Sequence, residues 1–507
     1  MSVAAGAVTA GLRGPELGRR LQDLLGPEKV LSRPDDLMIY EYDGAVDTAT
    51  PDAVVLPADT QDVAKLARFC AEHHVPIVPR GAGTGLSGGA IPVFGGVVVS
   101  FARMSRILEI DVPNLRAVVQ PGLINLHLST AVAPHGLYFV PDPSSQKACT
   151  LGGNVAENSG GPHTLAYGVT TNHVTGLEVV LSDGTVLRLG GKALDQEGYD
   201  LVGAFVGSEG TLGIITEITV KLTPLPEDER TIMAAFPTMD QASETVSAII
   251  ADGIVPAAME MMDTLAIEAV EAAVGAGYPL DAGGILLVEV DGVRDGLEEQ
   301  RERIEAICRR QGATTLRVAA TALEREKLWA GRKGAFAAMG RLAPDYYVQD
   351  GVIPRTRLPE ILRRVREIGE RYGVRVANVF HAGDGNLHPL LLFDASRGDD
   401  QLARVKEAGL EILEACVRAG GSITGEHGVG MEKNCYMPLQ FGEADLAAMR
   451  RIKEAWDPLG LSNPGKIFPT PGRCREFDLR AAGPKGGAQR LRRSSEGATA
   501  EEKERLS

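Results

Sequence analysis

Two histidines flank a glycine-rich turn in NVFHAGDGNLHPLL, residues 378 to 391. Apolar residues on both sides of a Gly-Asp-Gly tip are typical of a β-hairpin. If the loop contains four residues, Ala382 pairs with Leu387, and His381 lies directly opposite His388. Cross-strand Cβ atoms are roughly 4.5–5.5 Å apart, so two imidazoles placed in this way can bind one metal ion. The alternative is a pair of ordinary polar side chains beside a turn.

A glycine-rich loop, PRGAGTGLSGGA (79–90), follows the short apolar strand VPIVP. It contains the spacing Gly83-x-Gly85-x-x-Gly88, but a dinucleotide-binding loop must open a helix, and here Pro92 and two further glycines lead into another strand. No Gly-Lys-Ser/Thr follows, which excludes a P-loop. The loop is therefore predicted to join two strands and to wrap a pyrophosphate with its backbone N–H groups. The alternative is a plain flexible turn.

Two further stretches are similarly rich in small and hydrogen-bonding residues. They are VPDPSSQKACTLGGNVAENSGGPHTLAYG (140–168) and VGSEGTLGIITE (206–217). Turns alone do not need so many of these residues, whereas a flat polar ring packed against the backbone does. We therefore expect the three stretches to bind one large cofactor.

Composition excludes several classes of protein. The 507 residues carry a net charge of −15, so no basic surface is available for a nucleic-acid partner. No apolar run reaches the roughly 18 residues that span a bilayer. The N-terminal stretch MSVAAGAVTAGLRGPELGRR lacks the features of a secretion signal. These observations predict a cytoplasmic protein without a transmembrane segment.

The six cysteines are scattered and contain no C-x-x-C pair. Zinc-ribbon and iron–sulphur spacings are therefore absent. We expect reduced, structural thiols at Cys70, Cys149, Cys308, Cys416, Cys435 and Cys474. A redox protein with this sequence has no cluster of its own to carry electrons away.

The elements that must position these motifs form an α+β pattern. Residues 15–32 are predicted to form a short amphipathic helix, and short strands dominate up to about residue 225, with a hairpin at Asp183-Gly184. Beyond the charged stretch TPLPEDER, helices alternate with strands, which favours a helix-covered antiparallel sheet. A helix over 403–419 precedes the sequence GGSITGEHGVG.

The predicted organisation has five parts. They are an N-terminal helical segment (1–35), a cofactor domain (36–226), a substrate domain (227–420), a C-terminal segment carrying the GEHGVG loop (421–470), and a charged, Gly/Ser-rich tail predicted to be disordered (471–507).

The three glycine-rich stretches, together with HAGDGNLHP, GEHGVG and NPGKIFP, resemble the FAD-dependent oxidases and dehydrogenases of the vanillyl-alcohol-oxidase fold. The resemblance covers roughly residues 35–470 and is strongest to the branch that contains glycolate oxidase and D-lactate dehydrogenase. It implies a two-part FAD-binding domain of the PCMH type and a ferredoxin-like α+β substrate (cap) domain. It also implies a C-terminal helical segment that returns to the FAD-binding domain.

The resemblance also implies which residues contact FAD. The expected pyrophosphate contacts are Arg80, Gly81, Gly83, Thr84, Gly85, Leu86, Ser87 and Gly88. Further expected positions of the FAD site are Gly152, Gly153, Asn158, Gly161, Gly168, Glu209 and Ile215. Some relatives attach the flavin covalently through a histidine of the first loop, and this loop has none, so non-covalent FAD is expected.

In this branch the hairpin histidines resemble metal ligands, joined by a glutamate, and here these residues are His381, His388 and Glu426. Two imidazoles and a carboxylate suit Zn²⁺, or another divalent ion such as Mn²⁺ or Fe²⁺. A 2-hydroxy acid can chelate such an ion, which lowers the pKa of its hydroxyl while hydride passes from Cα to flavin N5.

His427 is the expected general base, because an ordinary imidazole pKa of about 6.5 suits proton removal near neutrality. The alternatives are a further metal ligand, or a group that orients the neighbouring glutamate. Arg332 in LWAGRKGAF resembles the arginine that clamps the substrate carboxylate, and its alternative is a solvated helix arginine. Val348 and Gln349 stand where relatives acting on 2-hydroxyglutarate carry a lysine before the residue matching Asp350.

The expected activity is therefore FAD- and metal-dependent oxidation of a small 2-hydroxy acid, of the glycolate or D-lactate type, to the 2-oxo acid. Iron–sulphur and flavin partner subunits, or a quinone, are the expected electron acceptors, with the protein peripheral to the inner face of the membrane. The alternatives are a D-2-hydroxyglutarate dehydrogenase, a non-catalytic flavin-binding subunit of a larger oxidase, and a zinc hydrolase that uses the two histidines and the glutamate.

Overall fold

A computed structural model describes residues 11–193, 197–470 and 474. Apart from Cys474, the tail predicted to be disordered lies outside the described residues. Helices and strands are mixed along the chain, which confirms the predicted α+β class.

The first segment contains both predicted parts of the cofactor domain. Its strands are β1 (Val30–Leu31), β2 (Ala53–Val55), β3 (Ile77–Arg80), β4 (Val97–Ser100), β5 (Ile107–Asp111), β6 (Arg116–Val119), β7 (Leu137–Tyr138), β8 (Val174–Val180), β9 (Val186–Gly190), β10 (Ile214–Lys221) and β11 (Thr223–Pro224). Its helices are α1 (Gly14–Leu25), α2 (Pro34–Leu37), α3 (Thr60–Glu72), α4 (Asn125–Val132), α5 (Leu151–Glu157), α6 (Thr164–Tyr167) and α7 (Leu201–Phe205).

A small sheet in the order β1-β2-β4-β3 supports the first glycine-rich loop. The core strands β2, β4 and β3 are parallel, and β2 and β4 are buried along their whole length, as expected for apolar runs covered on both faces. The loop leaves β3 after Arg80 and enters β4 at Val97 without opening a helix. The prediction that this loop joins two strands is therefore confirmed.

A second, antiparallel sheet has the order β5-β6-β10-β8-β9. Strands β8 and β9 form the hairpin predicted at Asp183-Gly184, with Val180 paired to Val186. Gly184 has a φ of 80°, in the left-handed region that tight hairpin turns require. The sequence signal for this hairpin is confirmed.

The second segment, called the cap below after the substrate (cap) domain that the resemblance implies, is built on one large antiparallel sheet. Its strands are β12 (Asp228–Phe236), β13 (Ala258–Asp263), β14 (Gly284–Gly292), β15 (Thr315–Val318), β16 (Asp345–Val348), β17 (Gly351–Val352), β18 (Arg375–His381), β19 (Asn386–Leu387) and β20 (Pro389–Phe393). Its helices are α8 (Met239–Ala251), α9 (Thr264–Ala273), α10 (Arg294–Arg310), α11 (Ala322–Lys333), α12 (Ala335–Ala338), α13 (Leu358–Tyr372) and α14 (Asp399–Arg418).

Both faces of this sheet are buried. Alternate residues of β12 point to opposite faces, so Ile232 and Ala234 belong to one apolar core and Met233 and Ala235 to the other. Helices α8, α10, α13 and α14 cover the first face, and α9, α11 and α12 cover the second. The strand order is β15-β12-β14-β13-β18-β19-β17, with β20 pairing to β18 and β16. The predicted helix-covered antiparallel sheet is confirmed.

The C-terminal segment contains α15 (Met437–Gln440) and α16 (Glu443–Trp456) and contacts both preceding segments. Ser422 bridges to Val352 of the cap, whereas Ser462 bridges to Ile77 of the first segment. Lys466 donates a hydrogen bond of 2.6 Å to the carbonyl of Ile91. The chain therefore returns to the first glycine-rich loop, as the family resemblance implies.

Two expectations from the sequence are wrong. The first helix ends at Leu25 rather than at residue 32, because Gly26 adopts a φ of 98° and Pro27 cannot continue the helix. Cys435 and Cys474 form a disulfide, whereas the other four cysteines are free and buried. Their separation of 39 residues matches no cysteine motif, which is why the sequence did not reveal the pair.

Among the described residues, no helix combines the length and apolar composition needed to cross a bilayer.

Candidate active site

A cavity of about 490 Å³ lies between the first segment, the cap and the C-terminal segment. All three glycine-rich stretches contribute to its walls. Ten of the positions expected to contact FAD line it, namely Arg80, Gly81, Gly83, Thr84, Gly85, Leu86, Gly152, Gly153, Glu209 and Ile215. The structure therefore brings most of the predicted cofactor positions together around one space.

Five positions expected to contact the cofactor do not line this cavity. They are Ser87, Gly88, Asn158, Gly161 and Gly168. The carbonyl of Ser87 accepts the N–H of Met431, which docks the C-terminal segment. The other four have φ between 55° and 139°, so their residue types satisfy turns of the backbone. A motif match does not separate turn glycines from glycines that make room for a ligand.

The glycines of the first loop have different structural reasons. Gly83 has a φ of 72°, and a Cβ there would meet the guanidinium of Arg80. At Gly85 the φ is ordinary, and the nearest atom to an added Cβ is Glu157 Oε1 at 3.9 Å. The protein itself therefore leaves room for a side chain at residue 85. That open space faces the cavity, as expected where the backbone approaches a ligand closely.

Glu209 connects the third glycine-rich stretch to the GEHGVG loop. Its carboxylate accepts the backbone N–H groups of Val429 and Gly430, both at 2.7 Å. Burial raises the pKa of Glu209 to about 7, although these two donors oppose the shift. Glu209 therefore contributes to the cavity wall and also holds the C-terminal loop against it.

The histidine hairpin has a different register from the predicted one. His381 pairs with Asn386, not with His388. The loop therefore comprises residues 382–385 rather than the expected 383–386. The two registers differ by two positions, so the same residues still share one face of the hairpin. His381 and His388 are thus diagonal neighbours, with ring centroids 5.1 Å apart.

His381, His388 and Glu426 meet in one cluster that could hold a metal ion. Glu426 Oε1 lies 3.0 Å from His381 Nε2 and 3.4 Å from His388 Nε2. Ligand atoms about 2.1 Å from a tetrahedral ion are about 3.4 Å from one another, so the observed spacing fits. The predicted residues are therefore placed together with metal-binding geometry.

The donor set also fits a divalent ion chemically. Nδ1 of His388 is buried without a hydrogen bond, and Nε2 lies 3.4 Å from both Glu426 Oε1 and Asp350 Oδ1, so a bound ion would supply a partner for this ring. Burial opposes ionisation of Glu426, but the neighbouring histidines, His381 first, lower its pKa to about 2. The carboxylate is therefore available as an anionic ligand. Imidazole and carboxylate donors suit Zn²⁺, Mn²⁺ and Fe²⁺.

His427 lines the cavity beside this cluster. Its ring stacks on that of His388, with centroids 4.7 Å apart and an angle of 16° between the planes. Burial lowers the pKa of His427 to about 4, although Asp350 opposes the shift with its Nδ1–Oδ2 separation of 4.0 Å. The imidazole is neutral near pH 7 and can accept a proton.

Asp350 holds the loop that carries Glu426 and His427. Its Oδ2 accepts the backbone N–H groups of three successive residues, Gly425 at 3.0 Å, Glu426 at 3.2 Å and His427 at 2.9 Å. Lys433 Nζ lies 3.4 Å from the same oxygen. Burial opposes the charge of Asp350, but His427 and Lys433 keep its pKa well below the ordinary value. The sequence analysis did not assign this role.

Arg332 is fully buried in α11 and does not line the cavity. Its Nη2 forms an ion pair of 2.6 Å with Glu260 Oε2, and none of Nε, Nη1 and Nη2 has a hydrogen-bond partner. The alternative of a solvated helix arginine is therefore wrong.

The other oxygen of Glu260 lies 2.7 Å from His381 Nδ1. Glu260 lies in an apolar strand, and only the pairing of β13 with β18 could have revealed its contact with His381.

The cap wall of the cavity contains residues that the sequence analysis missed. Lys333, Phe336 and Tyr346 line it. The Phe336 ring centroid lies 5.8 Å from that of His388, and Lys333 Nζ lies 3.3 Å from Asp142 Oδ2. Lys333 and Phe336 lie within the same LWAGRKGAF stretch as Arg332, so their proximity along the chain was the available signal. Val348 and Gln349 are buried and do not line the cavity.

Two family profiles match the chain. Residues 51–190 match an FAD binding domain, and residues 225–467 match the C-terminal domain of FAD linked oxidases. The glycolate oxidase subunit GlcD of Escherichia coli (strain K12) is 50% identical over 89% of this chain and 90% of its own length. The D-lactate dehydrogenase of Archaeoglobus fulgidus is 34% identical over 84% of this chain and 95% of its own length.

Solved structures have the same fold at low sequence identity. A substrate-bound p-cresol methylhydroxylase is 18% identical, with a TM-score of 0.76 over 92% of this chain and 98% of that one. A 4-ethylphenol oxidase from Gulosibacter chungangensis is 20% identical, with a TM-score of 0.75 over 94% of this chain and 99% of that one. The FAD cavity, the family profiles and the relatives agree, and the chain belongs to the family of FAD-linked oxidases and dehydrogenases.

Proposed function

We propose that this enzyme oxidises a small 2-hydroxy acid, of the glycolate or D-lactate type, to the 2-oxo acid with non-covalent FAD and a divalent metal ion. One observation carries the proposal. His388, Glu426 and His427 line the same cavity as the first glycine-rich loop, so a metal-binding cluster and a neutral imidazole lie in the space expected for the flavin. The names of the relatives, glycolate oxidase subunit and D-lactate dehydrogenase, favour this substrate class.

His381, His388 and Glu426 would hold the ion, because their donor atoms face one another at metal-binding distances. When bound, FAD supplies a hydride acceptor, and the ion supplies a Lewis acid that lowers the pKa of a coordinated hydroxyl. The cavity-lining parts of the first loop would bind the pyrophosphate through backbone N–H groups. No histidine occurs between residues 79 and 90, so acid precipitation should release the flavin.

His427 removes the hydroxyl proton of the substrate. Its ring faces the cavity, and its lowered pKa of about 4 keeps it unprotonated at neutral pH. Asp350 binds the backbone N–H of His427 and so fixes the position of the base. A positioned base of this kind typically contributes about 10²–10⁴-fold to the rate.

Arg332 binds the carboxylate of the substrate. A buried guanidinium whose Nε and Nη1 have no hydrogen-bond partner is costly unless an anion or another acceptor completes its shell. A carboxylate satisfies two such N–H groups at once. Arg332 itself does not line the cavity, but the adjacent residue, Lys333, does.

Metal analysis combined with single-turnover flavin reduction tests the proposal. The purified protein should contain FAD and a divalent ion and should bleach with glycolate or D-lactate faster than with L-lactate or D-2-hydroxyglutarate. Chelation should abolish bleaching, and added Zn²⁺ or Mn²⁺ should restore it. His381→Ala, His388→Ala and Glu426→Gln should each lose the metal and turnover but retain FAD. Full activity of a metal-free His381→Ala protein would overturn the metal-dependent mechanism.

The same preparation separates the alternatives. A zinc hydrolase would contain no flavin, and a non-catalytic flavin-binding subunit would contain FAD that no hydroxy acid reduces. Preferential bleaching by D-2-hydroxyglutarate would assign the dicarboxylate as the substrate in place of a small monocarboxylate.

A further inference from the structure

Glu260 is a buried carboxylate that touches two functional groups at once. It lies on β13 directly opposite His381 of β18, so the strand pairing itself fixes their approach. Oε1 is 2.7 Å from His381 Nδ1, and Oε2 is 2.6 Å from Arg332 Nη2. Only 1% of Glu260 is exposed, so water does not compete for these contacts.

The contact with His381 determines which ring nitrogen is free. A carboxylate accepts hydrogen bonds, so Nδ1 carries the proton and donates to Glu260. Nε2, 3.0 Å from Glu426 Oε1, is then the nitrogen that would exchange its proton for a metal ion. Carboxylates in this position orient metal-binding histidines and increase their basicity, and their replacement typically costs about 10–100-fold in metal affinity.

The contact with Arg332 orients the guanidinium. Nη2 forms a buried ion pair with Glu260 Oε2 at 2.6 Å, and none of the three guanidinium nitrogens has a hydrogen-bond partner. The ion pair therefore determines where the unpaired N–H groups point. Because one carboxylate makes both contacts, Glu260 links the orientation of the Arg332 guanidinium to the orientation of the His381 ring.

We propose that Glu260 is a positioning residue that links the metal site to the cation that binds the substrate carboxylate. This inference rests on the proposed function. It makes a specific chemical demand, because one oxygen must accept the Nδ1 proton of His381 while the other, charged oxygen pairs with Arg332. An amide has a single acceptor oxygen, so Glu260→Gln can serve His381 or Arg332 but not both.

Glu289 provides a matched control on the neighbouring strand β14. It is 2% exposed and, like Glu260, is a buried glutamate with several side-chain partners. Those partners are His163, Trp329, Thr231 and Arg325, none of which belongs to the metal cluster. Glu289→Gln therefore removes a buried carboxylate from the same sheet and leaves both contacts of Glu260 in place.

The test measures Zn²⁺ affinity of the FAD-loaded full-length protein by competition with a chromophoric chelator, beside the KM for glycolate or D-lactate. For Glu260→Gln we expect a Kd for Zn²⁺ raised about 10–100-fold and a raised KM, with FAD content unchanged. Glu289→Gln should keep the wild-type Kd and KM. If Glu260→Gln does not fold, Glu260→Asp replaces it, because the shorter side chain keeps the charge but cannot reach both partners.

The outcomes distinguish this inference from the proposed function. A wild-type protein that binds no divalent ion would refute the metal-dependent function itself. If the wild type binds Zn²⁺ and a folded Glu260 variant binds it within about threefold as tightly, Glu260 does not position His381. An equal loss of affinity in Glu289→Gln would also overturn the inference, because the effect would then belong to the sheet as a whole.

Discussion

Two stacked histidines illustrate how residue environment divides chemical roles. His388 and His427 have nearly parallel rings, 4.7 Å apart. His388 belongs to two groups that could hold a metal ion, one with His381 and Glu426 and the other with Asp350 and His427. His427 faces the cavity, with burial holding its pKa near 4, which favours the proposed role in proton transfer over that of a ligand.

Replacing His427 by Asn should separate base function from metal binding. Because His427 lies outside the predicted ligand set, metal and FAD should remain bound, but flavin reduction should slow by about 10²–10⁴-fold. Single-turnover bleaching of the variant, beside metal and flavin analysis, is the measurement. Loss of the metal together with activity would instead identify His427 as a ligand.

The pH dependence checks the same assignment. A lowered pKa means that the neutral, proton-accepting form persists at acidic pH and is lost only as the pH falls through about 4. The acid limb of wild-type flavin reduction should therefore lie nearer pH 4 than the ordinary imidazole value of about 6.5. The limb should disappear in His427→Asn. A limb near 6.5 that the variant retains would point to a different group.

Gly85 and Gly83 should respond differently to substitution. Gly85→Ala meets no protein atom closer than 3.9 Å, so the apoprotein should keep its thermal stability but bind FAD more weakly. Gly83→Ala meets Arg80 in a backbone conformation with φ 72°, so it should also lower the Tm of the apoprotein. Flavin absorbance after gel filtration and apoprotein melting are the measurements. Unchanged FAD affinity in Gly85→Ala would show that the open space is not used by the cofactor.

At the scale of elements, the active site depends on a hairpin and a loop from distant parts of the chain. The hairpin formed by β18 and β19 supplies His381, and the loop after α14 supplies Glu426 and His427. Asp350, in the connection between β16 and β17, accepts three backbone N–H groups of this loop. The loop is therefore held by two buried carboxylates, Asp350 with Lys433 as its counterion and Glu209 at Val429 and Gly430.

Asp350→Asn should disorganise the loop without unfolding the protein. In asparagine an NH₂ group replaces one carboxylate oxygen, so a donor faces the backbone N–H groups and Lys433. An unmade buried hydrogen bond of this kind costs about 1–3 kcal/mol. We expect weaker metal binding and slower turnover. Asp457→Asn is the control. Asp457 is also buried, pairs with Lys453 and accepts the N–H groups of Leu461 and Ser462. None of these residues belongs to the metal cluster. The measurements are the melting curve and the Zn²⁺ affinity of each variant. An equal loss of Zn²⁺ affinity in both variants would contradict a specific role for Asp350.

The sequence predicted the metal cluster but not the residues that support it. His381, His388 and Glu426 stand in short motifs, so they could be recognised before the fold was known. Even a wrong hairpin register preserved their common face, because the error was an even number of residues. Glu260 and Asp350 carry no local signal of this kind. Their roles depend on strand pairing and loop docking between segments far apart in the chain.

At the scale of the whole molecule, the cavity is assembled from three segments. Residues of the first segment, the cap wall at Lys333 and Phe336, and the C-terminal residues Glu426 and His427 all line it. The return of the C-terminal segment is fixed by contacts such as Asn463 Nδ2 to the carbonyls of Gly89 and Glu209. The cavity is therefore complete only when all three segments are docked. The domain boundaries predicted from sequence remain a prediction.

The route by which electrons leave is also a property of the whole molecule. Among the described residues the free cysteines are buried and dispersed, and Cys435 and Cys474 are joined in a disulfide, so cluster-type ligation is absent there. We therefore expect a reduced flavin to pass its electrons to an acceptor outside the chain, either a quinone or a partner with its own redox centres.

The isolated enzyme should consequently reduce an artificial dye or a soluble quinone with glycolate or D-lactate much faster than it produces hydrogen peroxide. The two rates are measured on the same preparation, in air, with the dye omitted in one arm. His427→Asn serves as the control, because it should slow both rates in parallel if flavin reduction precedes both outcomes. Peroxide production that matches the dye-linked rate would identify oxygen as a sufficient acceptor, and the chain would then act as an oxidase without any partner.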